Sequence, residues 1–175
     1  MARQFLFIGD SLIEFFDWQN RFPDDQVYNF GSAGETAEGL LSRLSNIIRR
    51  IQTPDLVMIM TGINNIAMED YGFLATYEKI ITLLQTNYVQ ATIVMTSLLP
   101  IDLFFLGDAV PRVNRRLKDI AGDRNIVYLD LYPLFLGEDS KAIPAYYEPD
   151  GVHLSREGYE VWASALEETV FPALG

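Results

Sequence analysis

Five short apolar runs, separated by longer stretches of helical period, constrain this chain more than any other feature. The runs fall at about 3–9, 26–30, 56–60, 91–97 and 126–130. Leu56-Val57-Met58-Ile59-Met60 has no polar interruption, which fits a strand covered on both faces of a parallel sheet. Between the second and third runs, Ala37, Leu40, Leu41, Leu44, Ile47, Ile48 and Ile51 recur at the i, i+3, i+4, i+7 spacing of an amphipathic helix. Thr36 is placed to N-cap it, with Glu38 complementing the dipole in its first turn. Further helices are expected at 73–88, from 108 or 109 to 121, and at 156–170 behind an N-cap Ser155. Ser11–Trp18 reads as a short helix or turn, and 131–149 as an irregular segment broken by prolines.

Strand and helix therefore alternate from end to end. That pattern predicts an α/β fold of three α/β/α layers, with right-handed crossovers and a five-stranded parallel sheet in flavodoxin-like order 2-1-3-4-5. The chain has 175 residues and shows no repeat or linker, so one domain over 1–175 is expected. A net charge of −11 argues against nucleic acid and anionic membrane surfaces as partners. With no cysteine, disulfides, thiolate nucleophiles and Cys-ligated metals are excluded. Met1-Ala2-Arg3-Gln4 runs into the first strand without a secretory h-region, and no apolar run reaches membrane-spanning length; a cytoplasmic location is the expectation.

In such a sheet, ligand chemistry gathers outside the strand carboxyl ends. Four features are predicted to lie there or in the last loop: Ser11, the Gly31–Glu35 loop, Asn64 and the Asp150–His153 pair. Ser11 is either a turn residue or a nucleophile. His153 is the sole histidine, and a serine hydroxyl needs such a base to take its proton. Asp150, three residues earlier, could orient the imidazole. Acyl transfer also needs oxyanion donors. The N–H of Ser11, the N–H of Gly34 and the side-chain amide of Asn64 are candidates, each with an alternative as a turn or cap residue. Glu35 and Asn65 read as local hydrogen-bonding residues.

Gly9-Asp10-Ser11-Leu12 is the literal Gly-Asp-Ser-Leu motif, and the chain resembles the SGNH (GDSL) hydrolases. The family's glycine block resembles Asn29-Phe30-Gly31-Ser32-Ala33-Gly34-Glu35-Thr36, which places its oxyanion glycine on Gly34 rather than Gly31. Its Gly-x-Asn-Asp block matches Gly62-Ile63-Asn64-Asn65, with asparagine in place of the final acid. That form resembles the platelet-activating-factor acetylhydrolase-like branch. Its Asp-x-x-His block matches Asp150-Gly151-Val152-His153.

The resemblance implies a serine esterase or acylhydrolase without cofactor or metal. Ser11, Asp150 and His153 would form the catalytic triad, and Ser11, Gly34 and Asn64 the oxyanion hole. The implied partner is a small-molecule ester: a short-chain acyl or acetyl ester, a lysophospholipid or an O-acetylated sugar. The alternative is a non-catalytic flavodoxin-like module that binds a ligand or flavin. An α/β-hydrolase proper would show Gly-x-Ser-x-Gly, and nucleotide binders their glycine fingerprints; neither occurs. Leu98–Leu106 and Tyr146-Tyr147 would border an acyl or alcohol pocket, or else pack as surface loops or a contact in a homo-oligomer.

Overall fold

A computed structural model describes residues 2–101 and 108–174. The strands are β1 (Gln4–Gly9), β2 (Gln26–Gly31), β3 (Leu56–Met60), β4 (Thr92–Thr96) and β5 (Val127–Leu129). They form one sheet of order β2-β1-β3-β4-β5, and every pairing is parallel. This is the predicted order. All five residues of β3 are buried, as their unbroken apolar run requires.

The helices are α1 (Ser11–Glu14), α2 (Trp18–Arg21), α3 (Ala37–Arg50), α4 (Ile63–Ala67), α5 (Phe73–Asn87), α6 (Ala109–Asp123) and α7 (Arg156–Leu174). Thr36 caps α3 by accepting from the Gly39 N–H, and Ser155 Oγ accepts from the Gly158 N–H in the first turn of α7. Three departures from the sequence reading have local causes. Ser11–Trp18 splits into α1 and α2, because Asp17 starts a second cap by accepting from the Asn20 N–H. α4 is five residues long, too short to show a helical stripe. α7 runs past residue 170 through Pro172, which sits in its last turn, where little helix remains to be broken.

The two ends of the chain share one aromatic cluster. Phe16 of the α1–α2 turn stacks on Tyr159 of α7 with ring centroids 4.4 Å apart, and Trp18 meets Trp162 edge-on at 5.3 Å. Phe7 of β1 meets Trp18 at 5.0 Å. Such pairs add about 0.5–1.5 kcal/mol each beyond the area they bury. The cluster holds α7, and the loop before it, against the end of β1.

Candidate active site

Gly9 ends β1 in register between Gly31 of β2 and Met60 of β3. A Cβ at Gly9 would lie 1.9 Å from the Met60 carbonyl oxygen, so a residue without a side chain is required for the strand to close. The chain then turns at once into α1, with Asp10 as N-cap. Its Oδ1 accepts from the Leu12 N–H at 3.0 Å. Asp10 thus shapes the turn that sets Ser11 at the first position of α1. The carboxyl is fully buried, and its Oδ2 has no partner among the described residues. Burial pushes it up to about 7. The Leu12 N–H opposes that rise, the charge of Glu35 adds to it and His153 works against it.

Ser11 Oγ lies 3.1 Å from His153 Nε2, and His153 Nδ1 lies 2.6 Å from Asp150 Oδ2. Asp150 Oδ1 accepts from the N–H groups of Val152 and His153, both at 2.9 Å. The hydrogen bond from His153, followed by those two N–H groups, holds the Asp150 carboxyl down at about 2. Asp150 is therefore ionised, and in the tautomer with its proton on Nδ1 the ring donates to that carboxylate and presents Nε2 to the Ser11 hydroxyl as an acceptor. The loop is fixed from behind by the Glu148 N–H, which donates to the His153 carbonyl at 2.8 Å. The exposed ring of Phe15 lies 5.1 Å from the imidazole.

The Gly31–Glu35 loop packs on the end of β1. The Gly31 N–H donates to Asn29 Oδ1, Ser32 N–H to the Gly9 carbonyl, Ala33 N–H to Glu14 Oε2, and Glu35 N–H to the Ser32 carbonyl. Gly34 N–H has no protein partner among the described residues. Gly34 has φ +73°, and nothing lies within 4 Å of the position a Cβ would take. A side chain there would meet open space, but the backbone conformation favours glycine. Gly31, by contrast, has α1 packed directly against it: a Cβ there would lie 2.2 Å from the Glu14 backbone nitrogen.

Asn64, in α4 just past the end of β3, donates from Nδ2 to the Glu35 carbonyl at 2.9 Å, leaving a second N–H on that amide. The geometry joins Ser11, His153 and Asp150 directly, and ties Gly34 and Asn64 to the same corner through Ser32, Ala33 and Glu35.

Three scaffolding side chains lie outside the candidate site residues, although Asn29 opens the glycine block. Glu14 links α1 to the glycine loop. Arg43 binds Glu35 from Nε at 2.6 Å and donates from Nη2 to the Phe30 carbonyl at 2.8 Å. Asn29 Nδ2 donates to the Ile13 carbonyl at 2.9 Å and steadies the end of α1. Their partners are set by tertiary placement. Tyr147 does not border an open pocket. It is buried, packs against Phe135, and donates its hydroxyl to the Pro100 carbonyl at 2.6 Å. Of the Leu98–Leu106 stretch, Leu98 and Leu99 are buried, and 102–106 lies outside the described residues.

This chain is similar to known proteins along nearly its whole length. It is 28% identical over 178 residues to the platelet-activating factor acetylhydrolase IB subunit alpha1 of Bos taurus, covering 97% of this chain and 75% of that protein. It is also 28% identical to the alpha2 subunit of Homo sapiens over 176 residues, covering 97% and 76%. An acetyl xylan esterase variant from Geobacillus stearothermophilus shares the fold with a TM-score of 0.78 at 21% identity, over 96% of this chain and 95% of that one. A GDSL-like lipase from Bacteroides thetaiotaomicron does so with a TM-score of 0.80 at 22% identity, over 98% and 89%. The model of the GDSL-like lipase/acylhydrolase family matches residues 7–161, from within β1 to the first turns of α7. The chain is a hydrolase that belongs to that family.

Proposed function

We propose that the chain is a serine esterase that cleaves short-chain carboxylic esters through an acyl-enzyme. The observation that carries this reading is the continuous hydrogen-bonded line from Ser11 Oγ through His153 to Asp150, at 3.1 and 2.6 Å. Ser11 Oγ attacks the ester carbonyl as His153 Nε2 takes its proton. Asp150 holds the resulting imidazolium, and His153 returns the proton to the departing alcohol. Water, activated by the same base, then releases the acid.

The negative charge on the tetrahedral oxygen is met by the N–H groups of Ser11 and Gly34 and by the Asn64 amide. Three facts support this assignment. Ser11 N–H opens a helix, where no intrahelical acceptor exists. Among the described residues Gly34 N–H is unengaged, while its neighbours at 31, 32, 33 and 35 are all bonded. Asn64 is held by its bond to Glu35 with one donor remaining.

The similar proteins include an acetylhydrolase and an acetyl xylan esterase, and the acyl group their names share supports a short acyl chain here. Among the described residues no helix is long and apolar enough to cross a membrane. The test is turnover of 4-nitrophenyl acetate, butyrate and octanoate by the wild type and Ser11→Ala. Acetate is expected to be preferred, and Ser11→Ala to lose turnover and fluorophosphonate labelling while keeping its circular dichroism. A folded Ser11→Ala chain with unchanged turnover refutes the assignment.

A further inference from the structure

Asn65 plays no part in the reaction just described, yet its polar atoms are fully engaged. It is buried, its Oδ1 accepts from the Ala37 N–H at 3.0 Å, and its Nδ2 donates to Glu38 Oε2 at 2.8 Å and Asp70 Oδ2 at 3.0 Å. These partners come from two sides. Ala37 and Glu38 open α3, the helix that starts directly after the loop bearing Gly34. Asp70 lies just beyond α4, which bears Asn64. The neighbouring Asn64–Glu35 bond joins the same two sides. The two outer oxyanion donors thus stand on separate elements, clipped together at adjacent residues of one short helix.

We propose that Asn65 is a positioning residue that sets the Gly34 arm of the oxyanion site against the Asn64 arm, and that an amide is required there because the position must accept from one N–H and donate to two carboxylates. The inference rests on the oxyanion assignment above. Asparagine meets that requirement: an acceptor and two donors on one short planar group. An aspartate would keep the bond from Ala37 but set a carboxylate oxygen against Glu38 and Asp70. Both donors would be lost, and a buried carboxylate at 65 would face two acids at the surface.

The charged groups facing the position are Glu38 from α3 and Asp70 beyond α4, while α5 contributes the neutral hydroxyl of Thr76 to Glu38. Neither acid has a salt bridge among the described residues. The asparagine that stands where the family pattern has an acid is therefore matched to two acids of this chain.

The experiment compares wild type, Asn65→Asp, and Asn65→Asp combined with Glu38→Gln. Readouts are kcat and KM for 4-nitrophenyl acetate from pH 6 to 8.5, with the thermal midpoint of each chain. Asn65→Asp is expected to lower kcat roughly 10- to 100-fold while KM changes little, since a displacement of the order of 1 Å has that effect. The ratio of variant to wild-type kcat should rise toward pH 6, as the introduced carboxyl regains a proton it can donate. Adding Glu38→Gln should restore most of kcat, because its amide donates to that carboxylate.

Wild-type kcat in a folded Asn65→Asp chain overturns the proposal. So does a loss that is independent of pH and unaffected by Glu38→Gln. If Asn65→Asp is insoluble, Asp70→Ala removes one clip at an exposed residue: lower kcat at constant KM supports the proposal, and unchanged kcat overturns it. Ser11→Ala run alongside separates the two levels. Turnover surviving in that chain sinks the esterase reading itself, whereas its loss beside an unaffected Asn65→Asp sinks the positioning role alone.

Discussion

Replacing Asp10 with asparagine should make the protein more stable at neutral and alkaline pH, by an amount that grows with pH. The carboxyl is fully buried, accepts one backbone N–H, and has a second oxygen without a partner among the described residues. Burial pushes it up to about 7, against 3.8 for an unperturbed aspartate. The two states therefore differ roughly a thousandfold in proton affinity, or about 4 kcal/mol at about 1.4 kcal/mol per tenfold. The sign follows from where the proton sits. The native chain keeps it to about pH 7, while the unfolded chain releases it near pH 4. The contribution of the protonated group is whole below pH 4, declines as pH rises, and is gone above pH 7.

Asparagine keeps the acceptor for Leu12 and has no proton to lose, so Asp10→Asn escapes that decline. Urea denaturation of both chains from pH 4.5 to 8.5 measures the difference in unfolding free energy. It should move in favour of the variant by up to about 4 kcal/mol across that range, the other titrating groups cancelling between the chains. A difference that stays constant with pH refutes the argument, because it would mean that Asp10 ionises alike in both states.

Two further outcomes test the site. Gly34→Ala should cost about 1–2 kcal/mol in urea denaturation, because φ is +73° there while the space around the new methyl is open. The same chain should lose kcat roughly 10²–10³-fold as the backbone relaxes and turns the free N–H away. Asp150→Asn should lower kcat by about 10³–10⁴ while leaving a folded chain, since the Asp150 side chain is half-exposed and on the proposed assignment holds the imidazole. Because the Asp150 carboxyl lies down at about 2, it stays ionised on mild acidification. Asp150 stabilises the fold only above the ordinary carboxylate range and ceases to do so as pH falls toward 2; a pH series of thermal midpoints checks this.

The fold was legible because its signals are local. An unbroken run such as 56–60 can hardly be other than a covered strand, and the Ala37–Ile51 stripe fixes a helix whose cap is one residue away. The chemical groups were legible for a related reason. Ser11, Asn64 and His153 each follow a strand or stand in the last loop, and a parallel sheet brings those places to one edge. What holds them could not be read. Glu14 reaches Ala33, Arg43 reaches Glu35 and Asn65 reaches Ala37, Glu38 and Asp70 only after strands and helices have packed. Tyr147 shows the same limit: an aromatic pair in that loop allowed either a pocket wall or plain packing, and only the packed chain shows its hydroxyl reaching inward to Pro100.

Ser11 and His153 stand 142 residues apart, and the aromatic cluster that brings them together draws on both ends of the chain. On the proposed assignment, a chain made from its amino terminus carries an inert alcohol at residue 11 until His153 has reached it, so labelling of Ser11 by a fluorophosphonate during refolding would report when the two ends of the molecule have met.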